Sequence, residues 1–186
     1  MTLDQARAAL AAHLLEHAVL RGSFTLKSGR ATTWFVDGKQ TACRPEGIVA
    51  VADVALPLIG PDIDAIGGLT MGADPVAFGV AAVAATRGRL LRSFSIRKQA
   101  KDHGVEGRLA GALLPGDRVA LTEDVATRGT SMLEAAEVVR ALGAEPVMAI
   151  PVLDRGGTGA ALAAAAGIEW RPLLTAPDLG FDFEGP

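Results

Sequence analysis

The stretch that decides the fold is Val119-Ala120-Leu121-Thr122-Glu123-Asp124-Val125-Ala126-Thr127-Arg128-Gly129-Thr130-Ser131. Its first residues are apolar, as is typical of a buried strand, and this strand ends in two adjacent acids. After a short loop, residues 129–131 open a helix. Backbone N–H groups at a helix start, aided by hydroxyl groups, form a cradle for a phosphate. The stretch therefore predicts a strand, a loop and a helix that together bind an anion.

The two acids, Glu123 and Asp124, limit what can lie beside that phosphate. Carboxylates repel a phosphate, so we expect them to accept hydrogen bonds from sugar hydroxyls or to hold water on Mg²⁺. The stretch is not a Walker A loop, because it lacks Gly-Lys-Ser/Thr and its acids precede the cradle. A ribose 5-phosphate fits both halves. The structural alternative is an acidic strand end followed by a Thr/Ser helix cap.

Strands and helices alternate on both sides of this stretch. Apolar strands that alternate with helices indicate an α/β fold, here a mostly parallel sheet flanked by helices. Ligands bind such sheets at the carboxyl ends of the strands. The predicted strands are residues 65–68, 90–96, 118–122, 147–153 and 168–174. The predicted helices are residues 45–59, 73–87, 129–142 and 159–166.

The N-terminal region, about residues 1–40, is expected to form a small hood with the C-terminal segment. Apolar residues recur at helical spacing from Leu3 to Leu20 and predict an amphipathic helix. Two short strands, residues 24–26 and 32–36, are predicted to form a hairpin across a turn that contains Lys27. This hairpin would cap one end of the domain.

Length and composition limit the class of protein. The 186 residues, 49% of them hydrophobic, suffice for one α/β domain, so residues 1–186 are expected to form a single domain. A formal net charge of −3 argues against a uniformly basic surface for nucleic acid or membrane. The single cysteine, Cys43, excludes an intrachain disulfide, and no uncharged run is long enough to span a bilayer. We therefore expect a cytoplasmic protein.

A second loop at the same edge of the sheet, residues 67–75, is rich in glycine. Glycines at a strand end let backbone N–H groups approach a diphosphate closely, although such a segment is more often only a turn. Asp74 and Pro75 are expected to be the N-cap and the first residue of the following helix.

A third loop, residues 97–104, is polar and without periodicity, and we expect it to be a mobile surface loop. It holds Lys98 and Lys101, two of the four lysines among 18 basic residues. A solvated charge run is the ordinary interpretation. The basic groups would also be well placed to close over a pyrophosphate, and His103 could donate a proton near neutral pH.

These segments together resemble a known family. Residues 122–131 resemble the phosphoribosyl-diphosphate (PRPP) motif of the type I phosphoribosyltransferases. Residues 24–30, the loop 97–104 and the pair Asp154-Arg155 are similar to one branch of it, the orotate phosphoribosyltransferases. The Arg-Lys-x-x-Lys-x-His pattern of the loop is far more specific than the phosphate motif. The similarity covers nearly the whole chain in the family's order and length, and it implies the type I phosphoribosyltransferase fold.

The resemblance also implies roles for individual residues. Glu123 and Asp124 would hold the ribose hydroxyls. The residues that would hold the 5-phosphate are Thr127, Arg128, Gly129, Thr130 and Ser131. The residues that would contact PRPP or its leaving diphosphate are Lys27, Arg97, Lys98, Lys101, His103 and a pyrophosphate loop of Thr70, Met71 and Gly72. The residues that would contact the base are Trp34, Phe35, Thr127 and Arg155, the last through the orotate carboxylate. The catalytic residues would be Lys101, His103 and Asp124.

Two residues depart from the family's pattern. Some members carry a lysine at the position of Met71, so this pyrophosphate loop is expected to rely on backbone donors. Arg128 stands where a small or neutral residue is usual, and it would either add a phosphate contact or point to solvent.

The implied reaction is transfer of ribosyl 5-phosphate from PRPP to orotate, which gives orotidine 5-phosphate and diphosphate in de novo pyrimidine (UMP) biosynthesis. The resemblance implies Mg²⁺ as cofactor, bound mainly through PRPP, with no direct protein ligand but possible water-mediated contacts to Glu123 and Asp124. It implies a homodimer with shared active sites. Two alternatives remain open: a phosphoribosyltransferase for another nucleobase, and a PRPP-sensing regulatory protein without enzymatic activity.

Overall fold

The computed structural model describes residues 1–25, 29, 31–101 and 107–184, and of Lys101 only the backbone. Helix α1 (Leu3–His17) begins at a capping box, in which the Thr2 hydroxyl accepts from the Gln5 N–H and the Gln5 side chain accepts from the Thr2 N–H. It buries Ala6, Leu10 and Leu14. The helix ends three residues before its predicted end, because the chain from Val19 onward is a strand.

That strand, β1 (Val19–Thr25), pairs antiparallel with β2 (Ala31–Val36) and forms the predicted hairpin. β1 begins five residues earlier than the sequence indicated. Alternate residues of β2, Thr32, Trp34 and Val36, are buried, as expected for a strand with one face against the protein. A short helix, α2 (Lys39–Ala42), follows the hairpin and was not predicted.

The main sheet has six strands in the order β10-β8-β6-β3-β4-β5. Neighbouring strands are parallel except for β4 and β5, which are antiparallel. The prediction of a mostly parallel sheet is therefore confirmed. Its strands are β3 (Ala65–Leu69), β4 (Arg92–Lys101), β5 (Gly107–Gly111), β6 (Arg118–Leu121), β8 (Glu145–Ala149) and β10 (Glu169–Trp170).

Helices cover both faces of this sheet, as predicted. One hydrophobic cluster joins α1, α3 (Pro45–Leu58) and α4 (Asp74–Thr86) to the sheet, with Ile66 and Ala120 among its buried residues. A second cluster joins α5 (Thr130–Ala141) and α6 (Gly159–Ala165) to the other face, around Phe94 and Leu121. No helix among the described residues is both long enough and apolar enough to cross a membrane.

Two predicted strands, residues 147–153 and 168–174, are each broken in the structure. The breaks contain Pro151 and Pro172, which have no backbone N–H to donate to a sheet ladder. Beyond the breaks, β9 (Leu153–Asp154) and β11 (Leu174–Thr175) join β7 (Val125–Ala126) in a second, parallel sheet of order β11-β9-β7. Ala126 pairs with Asp154, so the residues that follow them emerge side by side.

The prediction of a loop over residues 97–104 was wrong in its first part. Residues 97–101 continue β4, and β5 returns antiparallel to it, with Lys101 opposite Gly107. The polar sequence obscured this pairing, because both strands of the ribbon lack an apolar repeat at this end. His103 lies outside the described residues.

Candidate active site

The two acids of the deciding stretch lie directly beyond β6, where Thr122 bonds to both neighbouring strands. Its N–H donates to the Gly67 carbonyl of β3, and its hydroxyl donates to the Ile150 carbonyl beyond β8. Thr122 is fully buried, so these bonds satisfy polar groups that water cannot reach. They fix the point at which Glu123 and Asp124 leave the sheet.

Asp124 is a buried carboxylate with an ion-pair partner from the N-terminal region. Lys39, at the start of α2, donates from Nζ to Asp124 Oδ2 at 2.8 Å, and the Val125 N–H donates to Oδ1 at 3.0 Å. Burial lowers the pKa of Lys39, but the hydrogen bond and the charge of Asp124 outweigh it, so this pKa is raised above its ordinary value. Lys39 therefore stays protonated at neutral pH and can pair with this carboxylate.

Sequence reasoning missed Lys39 as a site residue. The available signal was its rarity, since lysines supply only four of the 18 basic residues. The other three lysines, Lys27, Lys98 and Lys101, were all assigned to the site. The residues around Lys39 in the sequence give no indication of a partner 85 residues away.

The pyrophosphate loop packs directly on the acid pair. A Cβ atom on Gly72 would lie 2.8 Å from Asp124 Oδ1 and 3.3 Å from Glu123 Cγ, so only glycine allows this approach. Gly38, next to Lys39, packs against the Cβ of Asp124. The structure thus brings together the residue pair 123–124 and the predicted pyrophosphate loop.

The remaining residues of that loop are Thr70 and Met71. The Met71 side chain is 65% exposed, which agrees with a loop that presents its backbone rather than a charged side chain. The Thr70 hydroxyl donates to the Asp74 carboxylate at 2.7 Å. The expectation that Asp74 is the helix N-cap was wrong: α4 begins at Asp74, its N-cap is Ala73, and the carboxylate holds Thr70 instead.

Glu123 has the most perturbed environment in the site. Burial raises the pKa of its carboxyl to about 7, and the neighbouring Asp124 charge adds to the rise. A hydrogen bond with Ser131 and the charges of Lys39 and Lys98 oppose the shift. Glu123 and the adjacent Asp124 together form a site for hydrogen-bond donors or a cation.

The predicted phosphate cradle follows the acid pair in the chain and lies at the start of α5. Gly129 is the N-cap and has a φ of +76°, a conformation that favours glycine. Thr130 is exposed and Ser131 partly exposed, and the first N–H groups of a helix have no acceptor within it. Thr127 and Arg128 complete the turn, and Arg128 is exposed to solvent. The structure therefore presents free donors beside the acid pair.

The cradle is tied to the loop after β9. The Thr158 hydroxyl donates to the Thr127 carbonyl at 3.3 Å, and Trp170 packs against Gly129. The buried Asp154 carboxylate accepts from the N–H groups of residues 156 and 157 and from Trp170 Nε1 at 3.0 Å. These bonds hold the next residue, Arg155, at a fixed place beside the cradle.

Arg155 lies where the hood hairpin meets the core. Its guanidinium is 5.0 Å from the Trp34 ring centre and 5.7 Å from that of Phe35, and its Nη2 donates to the Trp34 carbonyl at 3.3 Å. It is 95% buried. The structure thus brings together three of the four residues predicted to contact the base: Trp34, Phe35 and Arg155. The guanidinium also contacts the Glu184 carboxylate, which sequence reasoning did not identify.

The basic ribbon is described only in part. The Arg97 guanidinium donates to the Leu109 carbonyl at 3.0 Å, so in this structure it braces its own ribbon. Lys98 is exposed and close enough to influence the charge of Glu123. Lys27 and His103, and the side chain of Lys101, lie outside the described residues. The contacts with PRPP that were predicted for the basic residues and for the histidine remain predictions: Lys27, Arg97, Lys98, Lys101 and His103.

Fold and site together define a class. A mostly parallel sheet, an acid pair placed before a helix start, and a hairpin hood over the strand ends are the features of a type I phosphoribosyltransferase. No family model matches the chain. The orotate phosphoribosyltransferase of Streptomyces avermitilis is 42% identical over 97% of this chain and 100% of that protein. The chain belongs to the orotate phosphoribosyltransferase family.

Solved structures agree with this assignment. The orotate phosphoribosyltransferase of Mycobacterium tuberculosis in complex with inorganic phosphate has a TM-score of 0.84 at 31% identity, over 95% of this chain and 99% of that one. The same enzyme in complex with PRPP has a TM-score of 0.79 at 31% identity, with the same coverage. The phosphoribosyltransferase of Corynebacterium diphtheriae has a TM-score of 0.83 at 34% identity, again with the same coverage.

The raised pKa of Glu123 predicts how stability depends on pH. The folded state holds this proton up to about pH 7, whereas the unfolded chain releases it near 4.5. The free energy of unfolding therefore falls as the pH rises between these two values, and Glu123 causes no further change above about pH 7. Glu123→Gln removes the loss, so it should exceed the wild type by about 1–3 kcal/mol at pH 8 and by little at pH 4.5.

Chemical denaturation of both proteins at pH 4.5, 6 and 8 measures this difference. Glu137→Gln, an exposed position on α5, is the control for removing a carboxylate. A stability gap that does not grow with pH would show that Glu123 ionises normally in the folded protein.

Proposed function

We propose that the protein transfers ribosyl 5-phosphate from PRPP to N1 of orotate, giving orotidine 5-phosphate and diphosphate in de novo pyrimidine synthesis. The observation that carries this proposal is the buried Arg155, which lies against Trp34 and Phe35 and beside the phosphate cradle. A planar guanidinium in that position suits the carboxylate that distinguishes orotate from other nucleobases. This feature favours orotate over another base.

The two acids and the cradle are proposed to hold the ribose 5-phosphate. Glu123 and Asp124 accept hydrogen bonds from the ribose hydroxyls, and residues 127–131 surround the 5-phosphate with N–H and hydroxyl donors. The acid pair and the cradle are joined by the hydrogen bond between Glu123 and Ser131. Lys39 holds the Asp124 carboxylate in position through its hydrogen bond to Oδ2, so we count it as a positioning residue.

The acid pair also fits Mg²⁺. Hard carboxylate oxygens are its preferred protein ligands, and a cation here would offset the burial and the neighbouring Asp124 charge that raise the pKa of Glu123. Glu123 and Asp124 would hold the ion through water, while PRPP oxygens supply most of its ligands. When bound, the ion supplies positive charge that stabilises the departing diphosphate.

The reaction requires no nucleophilic side chain. The bond between C1 of the ribose and the diphosphate oxygen breaks with its electron pair on the oxygen. N1 of orotate bonds to C1 through an oxocarbenium-like transition state and loses its proton, which the departing diphosphate can accept. Catalysis is then positioning and charge stabilisation. Lys101 and His103 are proposed to meet the leaving diphosphate, and the backbone of residues 70–72 to cradle it. Closure of the ribbon would exclude the water that hydrolyses activated sugars.

We further propose a homodimer in which each ribbon serves the partner's site, and a single domain with its hood over residues 1–40 and the C-terminal segment. The exposed apolar side chains of Val49 and Phe78, on the adjacent helices α3 and α4, are a surface that a second copy could cover. A cytoplasmic location stays a prediction.

The substrate assignment is tested by steady-state assays with orotate, uracil, adenine and hypoxanthine, each with PRPP and Mg²⁺. Orotate alone should be consumed. Arg155→Ala should raise the KM for orotate by at least about tenfold and leave the KM for PRPP nearly unchanged, because a charge-assisted bond to the substrate carboxylate is lost. Arg128→Ala is the matched control, since its exposed guanidinium is not expected to touch the base.

Thermal unfolding checks that Arg155→Ala is folded, because Arg155 is buried. Turnover of another base in preference to orotate would replace the proposed substrate. Absence of turnover with all four bases, together with tight PRPP binding, would favour a PRPP-sensing protein.

The shared site is tested by mixing two inactive variants, Lys101→Ala and Asp124→Asn, under conditions that let subunits exchange. If ribbons act across the interface, one site of each heterodimer carries both substitutions and the other carries neither. Each heterodimer should then have about half the activity of a native dimer. Exchanged dimers without activity would show that the ribbon serves its own chain.

A further inference from the structure

The C-terminal segment places a carboxylate of the protein itself against Arg155. Glu184 contacts Arg155 Nη2, accepts from the Thr32 hydroxyl, and donates its N–H to the Arg155 carbonyl at 2.9 Å. The residues before it are also anchored: Phe181 stacks on Trp34 with ring centres 4.2 Å apart, and Phe183 packs on Gly157. The segment is therefore seated on the base side of the site by several independent contacts.

We propose that Glu184 is a specificity-determining residue, which occupies Arg155 until a substrate carboxylate replaces it. The inference rests on the proposed function, in which orotate needs the same guanidinium. Arg155 is buried, and leaving its charge unpaired is costly. A base with a carboxylate exchanges one ion pair for another. A base without a carboxylate must break the ion pair between Arg155 and Glu184 and cannot form another with Arg155. The ion pair therefore disfavours the binding of such a base.

The contact geometry is compatible with the replacement of Glu184 at Arg155 by a substrate carboxylate. Arg155 Nε has no hydrogen-bond partner among the described residues, so the guanidinium is not saturated by Glu184. The residues before Glu184 have anchoring contacts of their own, with Phe181 stacked on Trp34 and Phe183 packed on Gly157. The Glu184 side chain can leave Arg155 while Phe181 remains on Trp34.

Glu184→Gln tests this proposal, because it keeps the size of the side chain and removes the competing charge. The KM for orotate should fall by about three- to tenfold, and the KM for PRPP should not change. Asp182→Asn removes the same charge two residues away, from an exposed position, and should leave both constants unchanged. In an Arg155→Ala background, Glu184→Gln should have no effect on the KM for orotate.

An unchanged KM for orotate in an active Glu184→Gln enzyme would overturn the inference and leave the proposed function intact. An equal fall in Asp182→Asn would do the same, because it would assign the effect to net charge. A wild-type protein that does not consume orotate would overturn the proposed function, and this inference with it.

A separate cluster lies away from this site, between α1 and α3. His13 and His17 are four residues apart on α1, with ring centres 4.5 Å apart, and Glu46 is in the first turn of α3. Each of the three offers one ligand atom, and these atoms lie within 4.8 Å of one another. Two imidazoles on one helix face and a carboxylate from another helix form a donor set suited to a divalent transition metal.

The surroundings of His13 point to a cation. Its Nδ1 lies 3.1 Å from the hydroxyl of the buried Thr41, a second contact of the kind that orients metal-binding histidines. Its Nε2 is buried and has no hydrogen-bond partner among the described residues, although Glu46 Oε1 is 3.7 Å away. In the tautomer whose Nδ1–H donates to Thr41, a lone pair on Nε2 faces a carboxylate, and a cation between them would satisfy both.

From these contacts we infer a second site, which binds Zn²⁺ or a similar ion through His13, His17 and Glu46. Tetrahedral ligands of zinc are about 3.3 Å apart, so the widest separation in the cluster must shorten by up to about 1.5 Å. The Glu46 side chain is 57% exposed, so a small inward movement of its carboxylate would close this gap. A bound ion would join the helix of the hood to a helix of the core, and so stabilise the fold without taking part in the reaction.

Titration of metal-free protein with Co²⁺ or Zn²⁺ tests this site, with millimolar Mg²⁺ present to occupy hard-oxygen sites. One equivalent should bind at micromolar concentration, Co²⁺ should give the visible absorption of a tetrahedral complex, and Zn²⁺ should raise the midpoint of thermal unfolding. His17→Gln and Glu46→Gln should each weaken binding by at least about tenfold.

His103→Gln and Glu137→Gln are the matched controls, and both should bind metal as the wild type does. His17 and Glu46 are partly or largely exposed, so their variants should fold. Equal binding in all four variants, or no binding at 100 µM metal in about equimolar protein, would overturn the site.

Discussion

The ion pair between Lys39 and Asp124 is the interaction on which the site depends. Two adjacent carboxylates at the end of a buried strand repel each other, and burial makes that repulsion expensive. The two carboxylates are stabilised in different ways. Lys39 reaches Asp124 from α2 and pairs with its carboxylate, whereas burial raises the pKa of Glu123 to about 7. The pair also attaches the N-terminal region to the centre of the sheet, so hood and acid pair are held in one arrangement.

The second constraint is the break of two strands at Pro151 and Pro172. Without it, β8 and β10 would run on in the main sheet, and Arg155 would emerge far from the cradle. The breaks let β9 and β11 form a new ladder with β7, in which Ala126 lies opposite Asp154. The loops that begin at Thr127 and Arg155 are therefore neighbours. The turn proposed to bind phosphate and the residue proposed to recognise the base are brought together by backbone pairing, before any side chain contributes.

The sequence predicted the features that depend on local pattern. The α/β class, the helices on both faces, the hairpin and the strand–loop–helix unit around Glu123 follow from apolar periodicity and from residue types with definite backbone preferences. What it could not predict depends on contacts distant along the chain. Lys39 and Asp124, and Arg155 and Glu184, meet only after folding. The β4–β5 ribbon was missed because polar residues can pair as strands when a neighbouring strand supplies the hydrogen bonds.

The arrangement of charge explains how a chain with a net charge of −3 can accommodate a polyanionic ligand. Positive groups are not spread over the surface but placed at separate points around the acid pair: Lys39 beneath it, Lys98 on the ribbon, and the helix start of α5 at its side. The acids at the centre match the uncharged hydroxyls of a sugar. The donors around them match phosphate groups at its two ends. In the proposed function, such a pattern disfavours free phosphate at the centre and favours a ligand in which phosphates are held apart by a sugar.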